Sequence, residues 1–225
     1  MSDRALAWDG CGNVRDLGGL RLRAGGRTRP GVVVRADSLT RLTPAGREQA
    51  LAFGVSRAID LRAGDEKTPG ERWPDGVRVV TNPILPGSPD DPLWPEFGAI
   101  FDAAPDAEHG LRDVYLAFLE RWPREFAAAV AAMAGPRDGA VVVHCNAGRD
   151  RAGLVSALLM DALGVDRGEI AADFASSPPI DGHPGASAWV MLEVLAALDR
   201  TAGGSRGYLT AAGLDPAVLE TVGLV

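Results

Sequence analysis

The stretch Val141-Val-Val-His-Cys-Asn-Ala-Gly-Arg-Asp-Arg-Ala-Gly153 runs from an apolar triplet through a cysteine to an arginine that opens a second apolar stretch. Val141 to Val143 predict a short buried strand. From Arg151 to Leu163, apolar residues recur at Leu154, Val155, Leu158, Leu159 and Ala162, which lie on one face of a helix. Cys145 therefore falls at a strand-to-helix turn. The residues between Cys145 and Arg151 are mostly small and include Gly148, so successive backbone N–H groups can converge in front of the helix N-terminus. Such a nest holds a tetrahedral oxyanion. The same positive field favours a charged sulfur at Cys145. Arg151 adds a planar fork of donors that matches two phosphoryl oxygens, and its charge counts most where the transferring group gains charge. This spacing predicts a thiolate nucleophile at Cys145, with Arg151 and the loop amides, those of Asn146, Ala147, Gly148 and Arg149 among them, holding a substrate's phosphoryl oxygens.

The pattern His-Cys-(x)5-Arg, here His144, Cys145 and Arg151, is the signature of cysteine-dependent phosphatases. The segment Cys145-Asn-Ala-Gly-Arg-Asp-Arg-Ala-Gly153 resembles the loop of a bacterial tyrosine phosphatase family (tyrosine phosphatase family 3), whose members show Cys-x-Ala-Gly-Lys-Asp-Arg-Thr-Gly. Further landmarks of that family are matched by Asn13-Val-Arg-Asp-Leu-Gly-Gly19, Val34-Arg-Ala-Asp-Ser-Leu39, Asp60-Leu-Arg62 and Gly207-Tyr-Leu-Thr-Ala-Ala-Gly213. The resemblance thus extends over almost the whole chain. It implies a phosphatase working through a cysteinyl-phosphate on a phosphorylated protein or a phosphoinositide, releasing inorganic phosphate and using no cofactor. Phosphotyrosine, phosphoserine or phosphothreonine and an inositol head group are all open as substrates.

Two departures from the family pattern bear on the chemistry. Ala152 stands where the family usually has threonine, whose hydroxyl stabilises the departing thiolate, so hydrolysis of the intermediate is expected to be slow. Arg149 replaces the usual lysine, which keeps the charge but not the compact ammonium geometry.

The proton donor to the leaving oxygen is less directly legible. Trp73-Pro-Asp75 looks like the acid-bearing loop of many tyrosine phosphatases, but Pro-Asp-Gly is a turn sequence in its own right, and the valine-rich Val77 to Thr81 that follows reads as a strand. Asp75 is therefore expected to be a turn residue. Asp150, inside the loop, is the preferred acid, with a loop brace paired to Arg149 or to a backbone amide as an equal alternative. Asp90 or Asp91 in the proline-rich stretch supplies a third option.

His144 is expected to orient the cysteine backbone and not to act as a base. Cys11 is expected to be an ordinary reduced thiol, since two cysteines make no disulfide framework, although a protective bridge to Cys145 is the alternative. Arg15 and Asp16 either border the site or pair with each other and with loop backbone. His109 and His183 have no partner at ligand spacing, so no metal is expected.

The composition, 46% apolar and 24% charged in 225 residues, is that of a globular chain long enough for one α/β domain. A net charge of −7 argues against nucleic acid as a partner. The N-terminus lacks an apolar segment of signal length, and no run approaches the roughly 18 apolar residues of a membrane span, so stable membrane insertion is not expected and the cytoplasm is the expected compartment, with export by another route open.

Strands are expected at Gly31 to Arg35, Arg57 to Leu61 and Val77 to Thr81. Thr43-Pro44 predicts an N-cap and first helical residue. Leu111 to Met133 should be helical with a break at Pro123, and helices should follow at about 151–163, 167–174, 186–202, 206–212 and 216–222. Residues 83–106, crowded with Pro, Gly and Asp, are expected to be an ordered loop or mobile lid and not an element. The whole predicts one tyrosine phosphatase-like α/β domain over residues 1–225, with a central, largely parallel sheet flanked by helices and the catalytic loop at a strand's carboxyl end. Two rival readings are a rhodanese-type sulfurtransferase, whose loop does not need this His, Gly and Arg together, and a phosphate-binding module with little turnover.

Overall fold

A computed structural model describes residues 4–86, 90–135, 139–179 and 185–225. Its frame is a sheet of strands β1 (Arg15–Asp16), β2 (Val33–Ala36), β3 (Val55–Asp60), β4 (Arg78–Thr81) and β5 (Ala140–His144), in the order β1-β2-β5-β3-β4. All neighbours are parallel except β1, which pairs with β2 in antiparallel fashion. β5 is central, and every one of its residues is buried, because both faces of the sheet are covered. Val141 and Val143 face the larger core cluster and Val142 the smaller one, the alternation that a pleated strand imposes.

Helix α1 (Pro44–Ala52) packs on the smaller side with Trp8, Leu39 and Leu42. Thr43 caps it by accepting the N–H of Gly46, as expected from sequence, with Pro44 at the position where a missing donor costs nothing. The larger side holds α2 (Leu93–Asp102), α3 (Ala107–Arg121), α4 (Pro123–Ala132), α5 (Asp150–Ala162), α6 (Arg167–Ala175), α7 (Ala188–Ala202), α8 (Gly204–Ala211) and α9 (Ala217–Thr221). The break between α3 and α4 falls at Pro123, which opens α4. Within α5, Ala152 to Leu159 are all buried, so this helix is enclosed on every side and is a rigid stem for the turn that precedes it. Truncating Leu158 to alanine at its centre would cost about 2–5 kcal/mol.

The expectation that residues 83–106 hold no element is corrected. Leu93–Asp102 is a helix, and its Phe97 ring packs edge-on against Phe118 with centroids 4.9 Å apart. Pro95 is tolerated because it lies in the first turn, where backbone N–H groups have no intrahelical partner. His183 lies outside the described residues.

Candidate active site

Cys145 follows the last residue of β5 and is buried. Asp150 opens α5, so Asn146 to Arg149 form the turn between them. Its shape is imposed from outside. The Asn146 carbonyl accepts the N–H of Ser38 at 3.1 Å, the Ala147 carbonyl accepts Asn13 Nδ2 at 2.9 Å, and the Gly148 carbonyl accepts Arg35 Nη1 at 3.2 Å. A trans peptide points its N–H opposite to its C=O. With three successive carbonyls tied outward, the amides of Ala147, Gly148 and Arg149 turn inward. The Gly148 N–H donates to Cys145 Sγ at 3.2 Å. Gly148 has φ +70°, and a Cβ there would lie 2.6 Å from the Ala36 carbonyl carbon and the Asp37 nitrogen. Only glycine fits this left-handed, crowded position.

The residues that hold the turn come from far away in sequence. Arg35 is fully buried and also reaches Ser177 Oγ at 3.0 Å and the carboxylate of Asp173 at 3.2 Å. Gly153 lets Arg35 and Phe174 pass close to α5. Asp37 accepts the N–H of Gly12 at 2.9 Å and so holds the N-terminal segment against the turn. Arg15 and Asp16 do not pair with each other. Arg15 donates to Asn13 Oδ1 at 3.0 Å and Asp16 accepts the amides of Gly18 and Gly31, which makes both of them braces of the segment that carries Asn13. Burial, helped by the nearby Arg35 charge, pushes Arg15 down to about 10.

Arg151 is largely buried and gives both Nη atoms to the carboxylate of Glu66, in a single 3-10 turn at Gly64–Glu66. Its Nη1 also lies 3.4 Å from the carbonyls of Leu61 and Ile84. A guanidinium has five N–H groups. Those contacts occupy Nη1 and one hydrogen of Nη2, so Nε–H and the second Nη2–H remain as one coplanar edge with no partner among the described residues. Burial disfavours charge on both groups, but the pair outweighs it: Glu66 is held below the ordinary carboxylate range and Arg151 above the ordinary guanidinium. Glu66 is not singled out by the sequence reading, and nothing local to Gly64–Glu66 points to it. Beside this pair, Trp94 of α2, Asp65 and Pro86 line a cavity of about 300 Å³. Phe97 of α2 thus packs in the core while Trp94, on the same helix, lines this cavity.

Asp150 is held from two sides. Its Oδ1 accepts Arg149 Nε at 3.0 Å and the hydroxyl of Tyr115, from α3, at 2.5 Å. Burial first, and the Asp150 charge second, push the Tyr115 hydroxyl well above its ordinary value, so it stays protonated and is the donor. No hydrogen bond among the described residues engages Oδ2. One oxygen is clamped and the other is available.

His144 is fully buried, with Nδ1 3.2 Å from the Cys145 carbonyl oxygen and Nε2 unpartnered, 3.7 Å from Asp60. Burial pushes it down to about 4, against the attraction of Asp60, so it is neutral near pH 7 and packs its ring 5.3 Å from that of Trp73. Asp60 is in turn bonded to Arg62 and Lys67, and is held low despite burial by the Arg62 bond.

Asp75 is exposed in a turn closed by the Val77 N–H to the Pro74 carbonyl, ahead of β4. Asp91 caps the start of α2 through the Leu93 N–H at 2.9 Å. Cys11 is a free thiol whose Sγ lies 3.5 Å from the Ser38 carbonyl oxygen, and burial followed by the Asp37 charge pushes it up. His109 bonds Asp106 at 2.8 Å and packs against Trp189. Among the described residues no group of His, Cys, Asp or Glu could hold a metal ion, and no helix is long and apolar enough to cross a membrane.

A family model described as the tyrosine phosphatase family matches residues 6–223. The chain belongs to the tyrosine phosphatase family. Among similar proteins, one of Cupriavidus necator assigned as a tyrosine-protein phosphatase is 34% identical over 76% of this chain and 62% of its own length. A tyrosine-protein phosphatase of Nostoc commune is 30% identical over 80% of this chain and 69% of its own. The triple specificity protein phosphatase PtpB of Mycobacterium tuberculosis is 30% identical over 66% and 62%. The chain thus spans a little over three fifths of the Cupriavidus and Mycobacterium relatives it matches.

Proposed function

We propose that this chain hydrolyses phosphate monoesters through a cysteinyl-phosphate on Cys145. The observation that carries this reading is the loop itself, with its carbonyls tied outward, Gly148 N–H on the sulfur and one edge of Arg151 left open. A phosphoryl group in the nest accepts from the loop amides and from Nε–H and Nη2–H of Arg151. The sulfur attacks phosphorus, the ester P–O bond breaks, and the leaving oxygen takes a proton from Asp150 Oδ2. Water then attacks the phosphocysteine, Asp150 receives its proton, the S–P bond breaks, and inorganic phosphate leaves with the thiolate restored. Arg149 holds Asp150 and adds positive charge beside the nest. No step calls for a metal or other cofactor.

Phosphotyrosine is the favoured substrate, because a buried sulfur is reached more readily by a long aryl ester than by a short serine ester. The name of the Mycobacterium relative supports a wider range that takes in phosphoserine and phosphothreonine, and the second basic loop residue, Arg149, supports an inositol head group. Two free thiols fit a reducing compartment and support the cytoplasm as the setting.

Rapid-mixing hydrolysis of p-nitrophenyl phosphate at pH 5 to 8, with Cys145→Ser as control, tests the reading. A burst of one equivalent followed by a slower steady rate is expected, since Ala152 offers the departing sulfur no hydroxyl. Phosphate analogues that bind without any product would instead establish a binding module.

A further inference from the structure

Beside the loop lies a pocket of about 560 Å³ whose wall includes Asn146, the first residue after the cysteine, and Glu66, the partner of Arg151. It therefore adjoins the place where a phosphoryl group would sit. Three of its charged groups are already matched: Arg62 and Glu71 by each other, with Asp60 also on Arg62, and Glu66 by Arg151. Arg41, Arg47 and Arg72 differ. Arg41 donates to the neutral amide oxygen of Asn146 at 2.9 Å and Arg47 to the Leu42 carbonyl at 2.7 Å. Among the described residues no ion pair engages any of the three, although the chain carries net charge −7. Unmatched guanidiniums around one concavity raise its potential and select anions. Ser38, Thr40 and Thr68 add hydroxyls to the same wall, the first two bonded to each other at 2.9 Å.

We propose that this pocket is a second anion subsite. Resting on the phosphatase reading above, it holds a carboxylate or phosphate that flanks the phosphorylated residue of a peptide substrate, while the Cys145 loop holds the scissile group. A peptide is favoured over a lipid because none of the exposed large apolar side chains among the described residues lines the pocket, and a lone Leu51, one turn from Arg47 on α1, makes no apolar patch beside it. A surface that docks on a bilayer places such anchors beside its basic groups. In an extended peptide, side chains two residues apart share a face and stand roughly 7 Å apart, a reach suited to adjoining subsites.

The test compares kcat/KM for p-nitrophenyl phosphate, a phosphotyrosyl peptide with neutral flanks, the same peptide with glutamates at the flanking positions, and a soluble inositol bisphosphate. Wild type is compared with Arg72→Gln and with Arg47→Gln/Arg72→Gln. In wild type the acidic peptide should exceed the neutral one by about tenfold, mostly through KM, as expected for one or two charge-assisted contacts. That ratio should shrink with added salt and approach one in the double variant. An equal ratio in wild type and double variant, with the neutral peptide turned over, overturns the subsite. An arginine-dependent preference confined to the inositol bisphosphate overturns the peptide assignment and gives the pocket to a head group. No turnover of any substrate overturns the phosphatase reading and the subsite with it.

Discussion

Replacing Glu66 with glutamine keeps the side chain's shape and removes the charge that holds two nitrogens of Arg151. The side chains are only 10% and 23% exposed, so solvent screens the pair incompletely. A charge-assisted contact of this kind contributes about 1.5–3 kcal/mol, and the neutral amide retains about 0.5–1.5 kcal/mol through one acceptor. The difference, about 1–2 kcal/mol, is the preference that holds Arg151 by one edge and leaves its Nε–Nη2 edge open. At 1.36 kcal/mol per decade it converts to roughly a 5- to 30-fold loss in kcat/KM. The assay is kcat/KM for p-nitrophenyl phosphate, beside the affinity for a non-hydrolysable phosphate analogue. Both should fall together. Glu66 is also a negative charge beside a dianion, so the opposite result is physically meaningful: tighter analogue binding and faster turnover in Glu66→Gln would show that the carboxylate competes for the fork instead of orienting it. The pH dependence has a fixed sign. The folded-state pKa of Glu66 lies below its ordinary value, so its contribution to stability is present above about pH 4.3 and is lost as pH falls through the folded value. The stabilities of wild type and variant should therefore converge in acid.

Gly148→Ala should lower the thermal midpoint and strongly reduce turnover, because its Cβ would stand 2.6 Å from the backbone of Ala36 and Asp37 and φ would remain positive; wild-type values on both counts would show that the turn is not confined by β2. Tyr115→Phe removes one of the two donors to Asp150 Oδ1, leaving Arg149 Nε, and its loss in rate should be larger for alkyl than for aryl phosphates, as for Asp150→Asn; equal losses for the two leaving groups would make Asp150 a brace. Ala152→Thr should raise the steady rate relative to the burst, and an unchanged ratio would free Ala152 of responsibility for slow dephosphorylation. His144 is neutral when buried and charges when the chain unfolds, so it contributes up to about 3 kcal/mol of stability above about pH 6.5, lost progressively towards pH 4. Denaturant midpoints of wild type and His144→Asn across that range should show the wild-type slope and its reduction in the variant.

The helix α2 shows how one local signal hides another. Pro83, Pro86, Pro89, Pro92 and Pro95 read as loop, yet Leu93, Trp94, Phe97, Ile100 and Phe101 repeat at helical spacing. The proline at 95 falls in the first turn, where it breaks nothing, so the periodicity was the better guide.

What the amino-acid order determines unaided is what depends on near neighbours. A valine run, a cysteine, a glycine-bearing turn and an apolar continuation specify a strand, a nest and a helix within thirteen residues, and with them Cys145, Arg151 and Asp150. Tertiary structure alone decides what surrounds them. Glu66 meets Arg151 across 85 positions, Arg35 meets the Gly148 carbonyl across 113 and Tyr115 meets Asp150 across 35. The strand order places β2 and β3 on either side of β5, so the carboxyl ends of three strands distant in sequence converge on one turn. A single sequence carries the local propensities of each segment, but the burial that forces these polar groups to find one another exists only once the sheet and the surrounding helices have packed against α5.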